Sequence, residues 1–163
     1  MASEGNNTIN IPILLWAKLV FDMRKRGKGV RESGAFLVGR QSNGRGYVHT
    51  YLCYDDIDPN AYQHGAIIFH AAGYAAAWKR CKELRLDLLA DLHTHPGPDV
   101  RQSGIDQRHP MIPVVGHTAM IMPSFGHTPC WSLGGVGVYE YMGNFKWHTH
   151  TGVRPPRVRL TLW

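Results

Sequence analysis

The sequence predicts a single α/β domain, a mixed β-sheet flanked by helices. Three observations predict it. Strand-like segments alternate with two stretches whose apolar residues recur at helical spacing. The length of 163 residues suits one domain and buries a core without disulfide or metal staples. No internal repeat, linker or low-complexity stretch divides the chain.

Residues 8–11 read as a short strand, and Pro12 suits the first turn of the helix that follows. Leu15, Trp16, Leu19, Val20 and Met23 keep helical spacing, so an amphipathic helix runs to about Arg26 and closes at Gly27. Residues 32–40 read as a buried strand around Ala35-Phe36-Leu37-Val38. Asn43-Gly44 is a type I′ hairpin signal, and residues 47–54 form the return strand. Residues 55–65, rich in Asp, Pro and Asn, read as a loop, and residues 67–69 as another strand. Residues 71–86 are rich in helix formers, with Tyr74, Ala77, Trp78, Cys81 and Leu84 roughly along one face. Trp16 and Trp78 are expected in the core. Residues 88–93 form a strand that runs straight into a polar loop. Residues 118–122 and 136–141 are further strands, with 145–150 as a hairpin partner.

Composition narrows the function classes. Ten histidines stand beside only three cysteines, which are far apart and form no Cys-x-x-Cys pair. That excludes a disulfide scaffold and a cysteine-rich zinc ribbon and points to a reducing cytosol. The N-terminus has no Lys or Arg before the first apolar run, so it lacks the charged region of a secretory signal. The most apolar stretch, residues 11–21, is interrupted by Lys18 and too short for a bilayer. The expectation is a soluble, cytoplasmic protein. A net charge of +6 invites a nucleic-acid reading, but its cations are scattered apart from two clusters. Arg24-Lys25-Arg26 falls at a helix C-terminus, where cations complement the macrodipole. The cluster from Arg154 to Arg159 is uninformative.

The segment from Asp91 to Asp106 carries the chemistry. In a strand, residues i and i+2 point to one side, so His93 and His95 face one point and can share a cation. Pro96, Gly97 and Pro98 then turn the chain. Ser103-x-x-Asp106 is a helix start that swings the Asp106 carboxylate back toward both imidazoles. Two neutral imidazoles and a carboxylate, with one position open, are the ligand set of a catalytic zinc. An isolated His-x-His is a weak signal, and Ser-x-x-Asp alone is a capping box; the combination is much rarer by chance.

The combined pattern resembles the metal motif of the JAMM (JAB/MPN-type) zinc metalloproteases, which include deubiquitinating isopeptidases and bacterial relatives. That family also has a glutamate in front of an apolar strand, matched here by Glu32-Ser33-Gly34-Ala35-Phe36-Leu37-Val38. The resemblance covers residues 8–150 and implies one JAB/MPN-like domain with cytidine-deaminase-like layering. Residues 1–7 and 151–163 would be terminal extensions. It implies one zinc per chain held by His93, His95 and Asp106. Glu32 would be the general acid/base and Ser103 the hydroxyl that stabilises the tetrahedral intermediate.

The implied function is a bacterial-type isopeptidase or peptidase cutting after the C-terminal glycine tail of a ubiquitin-like protein. It would mature a precursor or remove the modifier from a target. Implied partners are that protein and its conjugates, with activating (E1-like) and conjugating (E2-like) enzymes of the same operon, including operons tied to antiviral defence. Residues 55–65 occupy one of the two places where the eukaryotic deubiquitinases carry insertions; the other, between Asp106 and Thr118, holds only about ten residues, which argues against linkage-selective handling of polyubiquitin. Strand addition of an extended tail is the expected docking mode. Rival readings are a JAMM peptidase acting on a sulfur-carrier or phage-tail protein, and a non-catalytic or DNA-repair-associated binding module.

Several residues imitate the motif. His148-Thr149-His150 repeats the triplet without a following Ser-x-x-Asp and reads as a half-exposed strand pair. His109, three residues after Asp106, could support the ligands, but Pro110 ends the helix there. His49, His64, His70, His117 and His127 carry no spacing signal, and Glu140 has a structural role by default.

Overall fold

The computed structural model describes residues 7–63, 67–151 and 156–163. In chain order the elements are β1 (Thr8–Pro12), α1 (Ile13–Gly27), β2 (Gly34–Ser42), β3 (Arg45–Cys53), α2 (Tyr54–Ile57) and α3 (Ala71–Leu84). They continue with β4 (Asp87–Thr94), α4 (Gly104–Arg108), β5 (Thr118–Met122), β6 (Gly137–Gly143), β7 (Lys146–Thr149) and β8 (Val158–Thr161). The eight strands among the described residues join one mixed sheet in the order β7-β6-β5-β4-β2-β3-β1-β8. The α/β class expected from the element order is what the chain adopts.

Strand alternation divides the core between the two faces. On β2, Ala35 and Leu37 pack with Trp16, Leu19, Val20 and Met23 of α1, whereas Phe36 and Val38 pack with Ala77 and Cys81 of α3. Helix α1 ends on Lys28 in the left-handed conformation (φ 53°), whose N–H donates to the Arg24 carbonyl. Pro12 precedes the helix instead of entering its first turn. Asn43 (φ 51°) and Gly44 (φ 70°) make the expected hairpin turn, where both central residues need positive φ.

Four expectations need correction. Residues 67–69 form no strand: the Phe69 ring is taken by Phe36, Tyr54 and Tyr74, with ring centroids 4.9–5.4 Å away. Three apolar residues have no period to read, and here they cap a core instead of pairing. The first three residues of the expected loop at 55–65 belong to the one-turn helix α2, and residues 64–65, with His64, lie outside the described residues. Trp78 is half exposed, because Gly73, Ala77 and Cys81 turn the small-residue side of α3 to the sheet. The C-terminal extension contributes an edge strand, β8, which pairs in parallel with β1.

Arginines of both basic clusters have partners within the fold. Arg26 binds Asp55 and Asp56 at 2.6 and 2.9 Å, and Arg24 donates to the Gly126 and Thr128 carbonyls. Arg157 donates to Thr118 and to the Gly116 carbonyl, bringing the β8 end of the curled sheet against β5. Arg154 lies outside the described residues. Among those residues no helix is long and apolar enough to cross a membrane.

Candidate metal centre

The site lies at the C-terminal end of β4, between the start of β2 and the end of β5. Gly34 pairs with His93, and His93 pairs with Ile121. Thr94 turns the other way, fully buried, with its N–H on the Ser33 carbonyl and its Oγ1 accepting from the Ser33 N–H. Anchoring Thr94 leaves His93 and His95 facing one side, their ring centroids 5.1 Å apart.

The loop after His95 brings Asp106 back, as the Ser-x-x-Asp spacing predicts. Ser103 caps α4: its Oγ accepts from the Asp106 N–H, and the Ser103 N–H donates to Asp106 Oδ2. The carboxylate then faces both rings, 3.2 Å from His93 Nε2 and 3.3 Å from His95 Nε2. The three side chains are only 12–19% exposed. One ligand atom from each lies within 4.8 Å of the others.

The donor set fits a cation. His95 Nδ1–H donates to the Asp99 carbonyl at 2.9 Å, which fixes the tautomer and leaves Nε2 with its lone pair. His93 Nε2 is buried and, among the described residues, makes no hydrogen bond; its approach to Asp106 lacks the geometry. An orphaned ring nitrogen aimed at a carboxylate is a group awaiting a partner. Burial works against the charged Asp106, but the facing imidazoles and the Ser103 side chain hold its carboxyl well below the usual range. That carboxylate in turn pushes the His95 imidazole upward. A bound metal ion would take the place of the proton these groups compete for.

Glu32 reaches the same cleft from the segment before β2 without joining the ligand group. Burial pushes its carboxyl above the ordinary value, the His93 and His95 imidazoles pull it down, and Asp106 pushes it up again. The cleft encloses about 380 Å³ and is floored by Ala119 and Ile121. A wider groove of about 900 Å³ opens on the other side of His95, lined by Arg101, Gln107, Tyr139, Phe145 and Trp147.

All five residues singled out from the sequence therefore lie around one cleft. His109 lines it, exposed, as the C-cap of α4, and is not a ligand. His148 and His150 stay outside it: His150 Nε2 binds Glu140 Oε2 at 2.7 Å, with the Arg157 guanidinium 3.6 Å from the same oxygen. Sequence reasoning missed the buried pair of Asp91 and His117, 2.6 Å apart. Asp91 stands two residues before His93 on the same strand face, a signal available beforehand; His117 had none. It also missed Trp147, whose Nε1–H donates to the Gln107 carbonyl beside Asp106.

No protein-family model matches the sequence. The fold is similar to the solution structure of protein DSY2949 from Desulfitobacterium hafniense, a structural-genomics target. The two share 14% identity over 94% of this chain and 93% of that chain, with a TM-score of 0.65. At that identity the likeness concerns the fold alone.

Proposed function

We propose that the chain is a zinc-dependent isopeptidase or peptidase of the JAMM (JAB/MPN) type, with that family's layering. Its substrate is the C-terminal glycine tail of a ubiquitin-like protein, in a precursor or a conjugate. The observation that carries the reading is Glu32: a carboxylate outside the ligand group, from the segment before β2, shares the cleft with His93, His95 and Asp106. A structural metal site has no use for such a group; hydrolysis requires one.

His93, His95 and Asp106 would hold the metal, which when bound polarises a scissile carbonyl and lowers the pKa of water toward ~7. Glu32 takes a proton from the attacking water onto its carboxylate and passes it to the leaving amine nitrogen. Its half-buried position raises its proton affinity, which suits an acceptor that must later donate. Ser103 Oγ accepts from the Asp106 N–H, so its own O–H remains a donor for the oxyanion. Trp147 and Thr149 of edge strand β7 line the wider groove, where an extended tail can add as a further strand. The free cysteines 53, 81 and 130 support a reducing cytoplasm.

The test uses a ubiquitin-like precursor extended beyond Gly-Gly. The zinc-loaded protein should release the extension, and Glu32→Gln should keep zinc and lose hydrolysis by at least about 100-fold. Hydrolysis that survives in Glu32→Gln, or in metal-free protein, overturns the reading.

A further inference from the structure

Three side chains succeed one another along the cleft face of β4 and its end: His95, His93 and Asp91. The metal centre uses the first two. Asp91 has no part in it, yet its carboxylate lines the cleft beside Ala119, its partner in the β4–β5 pairing. His117 Nε2 lies 2.6 Å from Asp91 Oδ1, and the two side chains are 5% and 4% exposed. Among the described residues His117 is the one hydrogen-bond partner of this carboxylate, and it engages a single oxygen. Ile67, Met111 and Ile121 give the same cleft apolar lining. The fully buried Tyr54 hydroxyl makes no hydrogen bond among the described residues, and the Asp91 charge adds to the burial that keeps it protonated.

A tie between two strands does not need a carboxylate, since an apolar pair of similar volume is usually at least as stable. A buried acid lining a cleft that also has apolar side chains in its wall is, in contrast, an arrangement that receives a cation. We infer that Asp91 is the floor of a pocket for a cationic group on an aliphatic stem, the ammonium or guanidinium of a Lys or Arg side chain of the substrate. The inference rests on the proposed role of the cleft in binding a polypeptide. Two residues of strand separate Asp91 from His93 by about 6.6 Å, a distance that a four-carbon stem covers. Ile67, Met111 and Ile121 would cover its methylenes while the charge reaches the carboxylate.

Methyl NMR titration of the zinc-loaded protein with n-pentylammonium, n-butylguanidinium and 1-pentanol tests this. At least one cation should bind tenfold more tightly than the alcohol, with the largest shift at Ala119. Asp91→Asn should abolish the preference; His117→Gln, which leaves the carboxylate in place, should keep it. Equal binding of the alcohol overturns the pocket, as does a preference lost in both variants. A response centred on Ile121 that survives Asp91→Asn also overturns it, because the amine is then at the metal. The titration reads occupancy, not turnover. A cation preference without cleavage of any fusion therefore overturns the peptidase reading alone, and cleavage without the preference overturns the pocket alone.

Discussion

The chain contains the triplet His-Thr-His twice, and the two copies have different fates. In the first, Thr94 is buried in a central strand, and the rings of His93 and His95 meet a carboxylate brought back by a capped helix. In the second, His148 and Thr149 are exposed on edge strand β7, and His150 spends its Nε2 on Glu140. The rings are as close in the second pair, with centroids 4.5 Å apart against 5.1 Å. Ring proximity therefore does not distinguish a ligand pair from a decoy. The difference lies in the acid: Asp106 faces two imidazoles, whereas Glu140 is shared between His150 and Arg157.

Removing ligands breaks the comparison most severely. His93→Ala or Asp106→Ala should abolish stoichiometric zinc after dialysis against a weak chelator, measured by metal analysis. His148→Ala and His150→Ala should keep it. The His150 change should instead cost stability, about 1–3 kcal/mol, since it takes a hydrogen bond from a half-buried carboxylate. Zinc lost from the second triplet's variants, or retained in the first's, would reverse the assignment.

Trp147 joins the two regions physically. It precedes His148 on β7, stacks edge-on against Tyr141 and donates its Nε1–H to the Gln107 carbonyl, next to Asp106. Helix α4 has no buried residue, so this bond and the capping box hold the ligand in place. Trp147→Phe keeps an aromatic ring and removes the donor. Zinc affinity, read by chelator competition, should fall about tenfold, as for loss of a group supporting a ligand. An unchanged affinity would mean that the capping box alone positions Asp106.

The first triplet was legible because its geometry is local. Strand alternation aims His93 and His95, and a four-residue capping box aims Asp106; both follow from spacing. Glu32 was not legible in that way. Its place depends on the β2–β4 register, a long-range pairing, and only the family resemblance pointed to it. Asp91 and His117 meet across β4 and β5, so spacing along the chain could not join them. The same reason hid β8, whose short segment became a strand only by pairing with β1 at the opposite end of the chain. Residues 67–69 failed in the other direction: locally strand-like, they were claimed by an aromatic cluster.

The remaining contrast is between two acids that do not ligate, since Glu140 is paired and Glu32 has no ion pair or hydrogen bond among the described residues. A free, half-buried carboxyl whose folded pKa exceeds its unfolded value carries a cost. In the window between those two values the folded state holds a proton that the unfolded state has released. Stability therefore falls as pH rises through that window, and the full penalty remains above it. Glu32→Gln removes the charge, so metal-free protein in chelator should melt higher than wild type at pH 7, on the order of 2 °C. The gap should close as pH falls below the ordinary carboxyl range, where both states are protonated. The same substitution abolishes hydrolysis in the proposed mechanism, so a gain in Tm with a loss of turnover marks a residue kept for chemistry at the expense of stability. A lower Tm at neutral pH would instead mean that the Glu32 charge stabilises the fold, as expected if its pairing with His93 and His95 outweighs burial.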